Sequence, residues 1–303
     1  MDDERLFGGI ELGGTKSIAV VARGRTIVHE ARWPTAAPDA TLGAISAWMA
    51  NATQDEPIAA LGLASFGPLG LIPGRADFGR IVDTPKVGWS GCDVRGQFAS
   101  RFPVPIGFDT DVAGAALAEG RWGASRGCNV HVYLTVGTGV GGGVVVNGMP
   151  VHGRVHPEIG HVRVRRSPSD DFAGHCPFHG DCLEGLVSGP AIAARAGRPS
   201  RDIAPDEPIW RRVTDELAEL MSLLVLTLSP ERIVIGGGVM QDRPLLLPRI
   251  HARTAHLLAG YVADAGLDEM ERMIVPPALG ADAGSWGAIA LALNACRSNT
   301  RAF

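Results

Sequence analysis

Lysine is almost absent from this chain of 303 residues: Lys16 and Lys86 are the only two. Arginine carries the other fixed positive charges, and the net charge is −4. The lysine bias reads as compositional, which gives the two exceptions some interest. An acidic chain lacks the basic excess that a nucleic-acid surface needs. Long apolar runs are missing too. The most apolar stretch, Leu217 to Ser229, falls short of the roughly 20 residues that a membrane span requires. The opening residues Met1-Asp2-Asp3-Glu4-Arg5 are acidic and lead straight into a strand-like run, unlike a signal peptide, so a cytoplasmic protein is expected. Five cysteines do not make a disulfide scaffold at this length. Cys92, Cys128 and Cys296 stand alone, whereas Cys176 and Cys182 sit close together among histidines, which in a reducing compartment reads as metal before disulfide.

What is present describes an ordinary globular chain, 46% hydrophobic and 20% charged, long enough for one large or two medium domains. Leu6 to Leu12 is an apolar run ending at Gly13-Gly14, and Ser17 to Ala22 resumes it, so a β-hairpin is expected. Thr41 to Asn51 has helical spacing. A strand from Ile58 to Ala64 ends in Ser65-Phe66-Gly67-Pro68, and another from Val104 to Phe108 feeds Asp109-Thr110-Asp111 and an Ala-rich helix, Val112 to Gly120. The composition loosens from Gly123 to Asn129 and the pattern restarts. Val130 to Val136 reads as a strand, Gly137 to Gly143 as a glycine turn and Val144 to Asn147 as a second strand. A long helix over Ile209 to Leu228 precedes a strand from Arg232 to Ile235 and Gly236-Gly237-Gly238. The repeated opening predicts a duplicated α/β fold of two lobes with a central cleft, residues 1–120 and 121–303. The C-terminal helix is open to packing on the first lobe.

Three glycine turns each follow a strand: Gly13-Gly14-Thr15-Lys16, Gly137-Thr138-Gly139 with its trailing glycines, and Gly236-Gly237-Gly238. Without Cβ, glycine lets backbone amides approach phosphate oxygens, and Thr15 or Thr138 can add a hydroxyl donor. One such turn is most often just a tight turn; three together favour nucleotide binding. Gly137-x-Gly139-x-x-Gly142 also matches the dinucleotide fingerprint, but that motif must open a helix, and here Val144-Val145-Val146 continues as a strand. Walker A fails because no glycine turn ends in Gly-Lys-Ser/Thr.

Asp111 stands at a helix start, where a carboxylate is either a kinase base or simply an N-cap, and Asp109 competes with it. The most specific local signal is Cys176-Pro-Phe-His179-Gly-Asp-Cys182, with His161 fifteen residues upstream. Two thiolates and two imidazoles suit a closed, structural Zn²⁺ site, with His175 and His156 as alternative histidines. Glu158 and Glu184 flank the cluster, where they are either polyol acceptors or solvated surface groups; spacing does not decide.

These residues resemble the ROK family of sugar kinases (repressors, open reading frames and kinases), and within it the bacterial fructokinases, from Gly8 to about Ala292. Gly9 to Lys16 is similar to the family's first phosphate motif, with Glu11 at the magnesium-side position. Gly137-Thr138-Gly139 is similar to the second, and Gly236 to Gly238 to the adenosine-side turn. Ala64 to Pro68, including Gly67 and Pro68, and Thr84 to Trp89 resemble segments at the sugar cleft. The resemblance implies an actin-like, ribonuclease H-like ATPase fold, Asp111 as general base, and Thr110 and Asp111 among the sugar-binding residues. It also implies sugar contacts from Glu158, His161 and Glu184, and a zinc site at His161, Cys176, His179 and Cys182. The implied activity is transfer of the ATP γ-phosphate to the 6-hydroxyl of fructose, with Mg²⁺ and structural Zn²⁺, in a homodimer. Another hexose, as in a glucokinase or mannokinase, is the alternative. A non-enzymatic sugar sensor is disfavoured, because the phosphate motif begins near residue 9 and leaves no room for a helix-turn-helix. Ala113 departs from the family's usual Asn.

Overall fold

A computed structural model describes residues 4–263 and 265–300. In chain order the elements are β1 (Leu6–Leu12), β2 (Lys16–Arg23), β3 (Thr26–Pro34), α1 (Pro38–Ala52), β4 (Leu61–Ser65), α2 (Val94–Arg101), β5 (Ile106–Thr110) and α3 (Asp111–Trp122). Next come β6 (Val130–Val136), β7 (Val140–Val146), β8 (Met149–Pro150), α4 (Leu183–Val187), α5 (Gly189–Ala196), α6 (Ile209–Leu228) and β9 (Arg232–Gly236). The last are α7 (Gly238–Asp242), α8 (Leu246–Leu258), α9 (Leu267–Met273), β10 (Ile274–Val275) and α10 (Ala283–Thr300).

The duplication is visible in the sheets. The first has the order β3-β2-β1-β4-β5 and the second β8-β7-β6-β9-β10. In each, a central strand pairs antiparallel with the next strand in sequence and parallel with a later one. One compact unit holds the chain up to Arg121, residues 149–156 and the chain from Ala281; the other holds Trp122–Gly148 and Pro157–Gly280. The chain thus leaves the first unit at Arg121 and re-enters it twice. No described helix is long and apolar enough to cross a membrane.

Each unit has its own core. In the first, Ile10, Leu12, Leu63, Ile45 and Trp89 are buried together. In the second, α6 buries Trp210, Val213, Leu217, Leu220, Met221 and Leu224 at helical spacing against β6 and β9. Helix α10 lies on β1, β4 and β5 so closely that glycine is required beneath it. A Cβ at Gly62 would overlap the Ala288 carbonyl, and one at Gly107 the Leu291 carbonyl.

One turn is shorter than its glycines suggest. Only Gly137 to Gly139 turns, while Gly141, Gly142 and Gly143 belong to β7 and pair with Thr135, Leu134 and Tyr133. The reason is space: a Cβ on Gly142 would lie 2.8 Å from both Leu134 and Ile159. Strand β3 and helices α2 and α8 carried no clear sequence signal.

Gly62→Ala should lower the stability of the first unit by about 1–3 kcal/mol, because α10 must shift off β4. A thermal melt checks this; an unchanged midpoint contradicts the packing described.

Candidate active site and metal centre

His161, Cys176, His179 and Cys182 converge, with their ligand atoms all within 4.8 Å of one another. His161 Nδ1 lies 3.7 Å from Cys176 Sγ and 3.5 Å from Cys182 Sγ, and His179 Nδ1 lies 3.8 Å from Cys176 Sγ. A tetrahedral zinc would hold sulfur and nitrogen ligands about 3.5 Å apart, so these four fit the ion. The knuckle is closed by paired backbone bonds between Cys176 and Gly180, 3.1 and 2.9 Å long. Both thiols are buried. Burial pushes the Cys182 thiol up to about 11, and the Cys176 thiol beside it adds to the rise. A divalent cation would reverse this by ionising both. The alternative histidines lie outside the cluster; His156 Nε2 instead accepts from the Leu69 amide at 3.1 Å. A chain of ion pairs, Asp181–Arg166–Asp170–Arg195–Glu216, braces the knuckle against α5 and α6. It had no local signature in the sequence.

Glu184 follows two residues after Cys182, in the first turn of α4. Its Oε2 accepts from the Val140 amide at 3.0 Å. A Cβ on Gly139 would meet that same oxygen at 2.7 Å, so a side chain here would displace the carboxylate. Burial, helped by the neighbouring Glu184, pushes the Glu158 carboxyl up to about 7. Glu158, exposed, and Glu184, half-buried, are thus close enough to repel each other beside the Cys176–Cys182 knuckle. The turn itself is held by the Gly137 amide donating to the Gly139 carbonyl at 2.9 Å. The Gly189 amide, at the start of α5, donates to the Gly137 carbonyl at 2.7 Å.

The parallel register of β6 and β9 sets Thr135 beside Gly236, so two glycine turns leave the same end of the sheet. Gly237 has φ +91°, and a Cβ there would strike the Val136 backbone. A cavity of about 310 Å³ joins them, lined by Gly137, Thr138, Gly189, Trp210, Gly238 and Arg243. Trp210 and Arg243 were not foreseen.

The first unit repeats the arrangement. Leu12, Ser65 and Thr110 are paired across β1, β4 and β5, so the Gly13–Lys16 turn, Gly67-Pro68 and Asp111 all emerge from the carboxyl end of one sheet. Lys86 Nζ donates to the Gly14 carbonyl at 2.7 Å, tying the Thr84–Trp89 segment to the glycine turn. Glu11 Oε2 is buried with no hydrogen-bond partner among the described residues. Gly284 leaves it room, since a Cβ there would collide with the carboxyl. Burial raises the Glu11 pKa, with Lys16 and Arg32 opposing. An orphaned carboxylate oxygen fits a cation such as Mg²⁺, or a water held by one.

The N-cap of α3 is Thr110 and not Asp111: Thr110 Oγ1 accepts from the Ala113 amide at 3.1 Å. Asp111 Oδ1 accepts from the adjacent Val112 amide at 2.9 Å. The competing carboxylate, Asp109, is buried, accepts from the Thr110 amide at 2.8 Å and takes a hydrogen bond from His152 Nε2 at 3.1 Å. Ala113 is buried, and His156 lies against Gly67, where a Cβ would be 3.3 Å from its Nε2.

The sequence pattern of the ROK family matches residues 7–295. The chain is 43% identical over 300 residues to a fructokinase from Zymomonas mobilis subsp. mobilis, covering 97% of this chain and 98% of that protein. Its fold is similar to that of a ROK hexokinase from Thermus thermophilus, with a TM-score of 0.78 at 26% identity over 97% of this chain and 99% of that one. A ROK family glucokinase from Streptomyces griseus, in complex with glucose and AMPPNP, gives a TM-score of 0.73 at 25% identity, covering 95% and 99%. The architecture is therefore the duplicated actin-like α/β fold.

Two outcomes are expected. The chain should bind one equivalent of zinc, and a strong chelator should lower its melting temperature; Cys176→Ser/Cys182→Ser should abolish both. Stoichiometric zinc in that double variant would refute the site. The hydrogen bond to Asp109 raises the His152 pKa above 6.5. The pair's stabilisation is therefore complete below the unfolded value and is lost as pH rises through the folded one. The melting-temperature deficit of His152→Ala should be larger near about pH 5.5 than near about pH 9. Equal deficits contradict it.

Proposed function

The chain belongs to the ROK family, and on that footing we propose that it is an ATP-dependent sugar kinase acting on the 6-hydroxyl of fructose. The observation that carries this reading is the contact of Glu184 with the phosphate turn: a carboxylate suited to a polyol touches the backbone suited to a phosphate. Phosphoryl transfer needs those two ligands side by side. The activity named for the Zymomonas mobilis relative supports fructose; the glucose held by the Streptomyces griseus enzyme supports the alternative hexose.

In this reading the amides of Gly14, Thr15 and Lys16, with those of Thr138 and Gly139, donate to the ATP phosphates, while the Gly13 amide closes its turn on the Lys16 carbonyl at 3.0 Å. The adenosine side takes the cavity at Gly236, Gly237 and Gly238. Glu11 is the residue to hold Mg²⁺, directly or through water, and the bound ion neutralises phosphate charge. His161, Cys176, His179 and Cys182 are the residues to hold Zn²⁺, which with all four positions filled supplies loop rigidity and no chemistry at the phosphate. The His161 ring turns Nδ1 to the thiols, so its Nε2–H donates to a sugar hydroxyl, while the carboxyls of Glu158 and Glu184 accept from others. Gly67 and Pro68 contribute backbone to the sugar site. Asp111 takes the proton of the 6-hydroxyl as that oxygen bonds to the γ-phosphorus. The bond from this phosphorus to the β,γ-bridging oxygen breaks, and ADP leaves with the electron pair. The Thr110 cap fixes the backbone from which Asp111 acts.

Asp111→Asn should cut kcat by roughly 10²–10⁴ while fructose affinity stays within a few-fold. Near-normal turnover would remove Asp111 from the role. Across fructose, glucose and mannose, kcat/KM should favour fructose by about tenfold or more. A preference for glucose or mannose would overturn the substrate assignment alone.

A further inference from the structure

Arg243 follows α7 and touches three backbone carbonyls of one loop. Its Nη2 lies 3.0 Å from the Ser200 oxygen, 3.3 Å from that of Arg201 and 3.1 Å from that of Ile203. Its Nη1 donates to the Asp242 carbonyl at 3.0 Å. The guanidinium stacks over the Trp210 ring at 5.0 Å, and Trp210 Nε1 donates to the Ala204 carbonyl at 2.9 Å. The loop they hold has little apolar anchorage of its own: Ser200 is half-buried, Arg201 and Asp202 are exposed, and Ile203 is its buried apolar side chain. Ser200, Arg201, Trp210 and Arg243 line the same cavity as the Gly137–Thr138 turn.

Nη2 points at loop carbonyls and Nη1 at the carbonyl that ends α7, so both arms of this cation are engaged by backbone. Nη2 shares its two hydrogens among the three loop carbonyls while Nη1 holds the Asp242 carbonyl and the flat guanidinium lies on Trp210; the compact ammonium of lysine lacks that second arm and that flat face. We propose that Arg243 is a positioning residue for the nucleoside part of the phosphate donor. It holds the 200–204 loop as a wall of the cavity, so that affinity for a nucleotide depends on it and affinity for a bare phosphate chain does not. This rests on the reading of the cavity as the nucleotide site.

The test is calorimetric titration of the full chain, and of Arg243→Met and Arg243→Lys, with ADP, tripolyphosphate and fructose. Arg243→Met should weaken ADP binding by about tenfold or more, and Arg243→Lys in the same direction by less. Tripolyphosphate and fructose should bind both variants within about twofold of the parent. Unchanged ADP affinity, or an equal loss for ADP and tripolyphosphate, would overturn the proposal. If Arg243→Met does not fold, Arg243→Lys decides by the same comparison. A parent chain that binds no ADP would remove the nucleotide reading itself, and this inference with it.

Discussion

The hydrogen bond from the Val140 amide to Glu184 is where the two chemistries of the second unit meet. Helix α4 begins at Leu183, directly after Cys182, so a metal that shapes the Cys176–Cys182 knuckle also sets where Glu184 reaches. The glycine turn accommodates that carboxylate only because Gly139 has no Cβ. The turn is in turn fixed by the start of α5 through the Gly189 amide. The Cys176–Cys182 knuckle, Glu184, the Gly137–Gly139 turn and the cavity thus form one continuous chain of contacts, and a change in any link is felt at the next.

Charge braces this chain from behind. Asp170 and Arg195 are almost fully buried, their side chains 1% and 4% exposed, and Glu216 is similarly enclosed at 3%. Burying such groups costs desolvation that pairing roughly offsets, so their value lies in fixing the register of the loop against α5 and α6. Removing one partner would strand a buried charge. In the first unit the constraint is backbone, not charge. The ends of β1, β4 and β5 are aligned by parallel pairing, and the Thr110 cap frees Asp111 from the duty of a helix cap.

Long apolar runs were legible at high precision: Leu6–Leu12, Val130–Val136 and Ile209–Leu228 have the limits their sequences suggest. Gly141–Gly143 misled because a glycine inside a strand carries no side-chain signal; it is there for the close approach of Ile159 and Leu134. Strand β3 was missed because it lies at a sheet edge and is largely exposed, so little alternation marks it. The convergence of His161, Cys176, His179 and Cys182 was readable because most of that cluster lies in one short loop. Arg243 and His152 were not, because each bonds a segment about 43 residues away, a distance that short motifs do not span; Trp210, six residues from its partner carbonyl, reads simply as a core residue of α6. Which residue caps α3 was undecidable from spacing; the Ala113 amide bonds to Thr110 Oγ1, so the cap is Thr110.

The central claim is that this chain moves the γ-phosphate of ATP to the 6-hydroxyl of fructose. Incubating it with fructose and ATP and locating the phosphorus by its NMR coupling to the sugar protons tests this directly. The account predicts fructose 6-phosphate and an equivalent of ADP. Fructose 1-phosphate, or ADP released with free phosphate and no sugar phosphate, would contradict it.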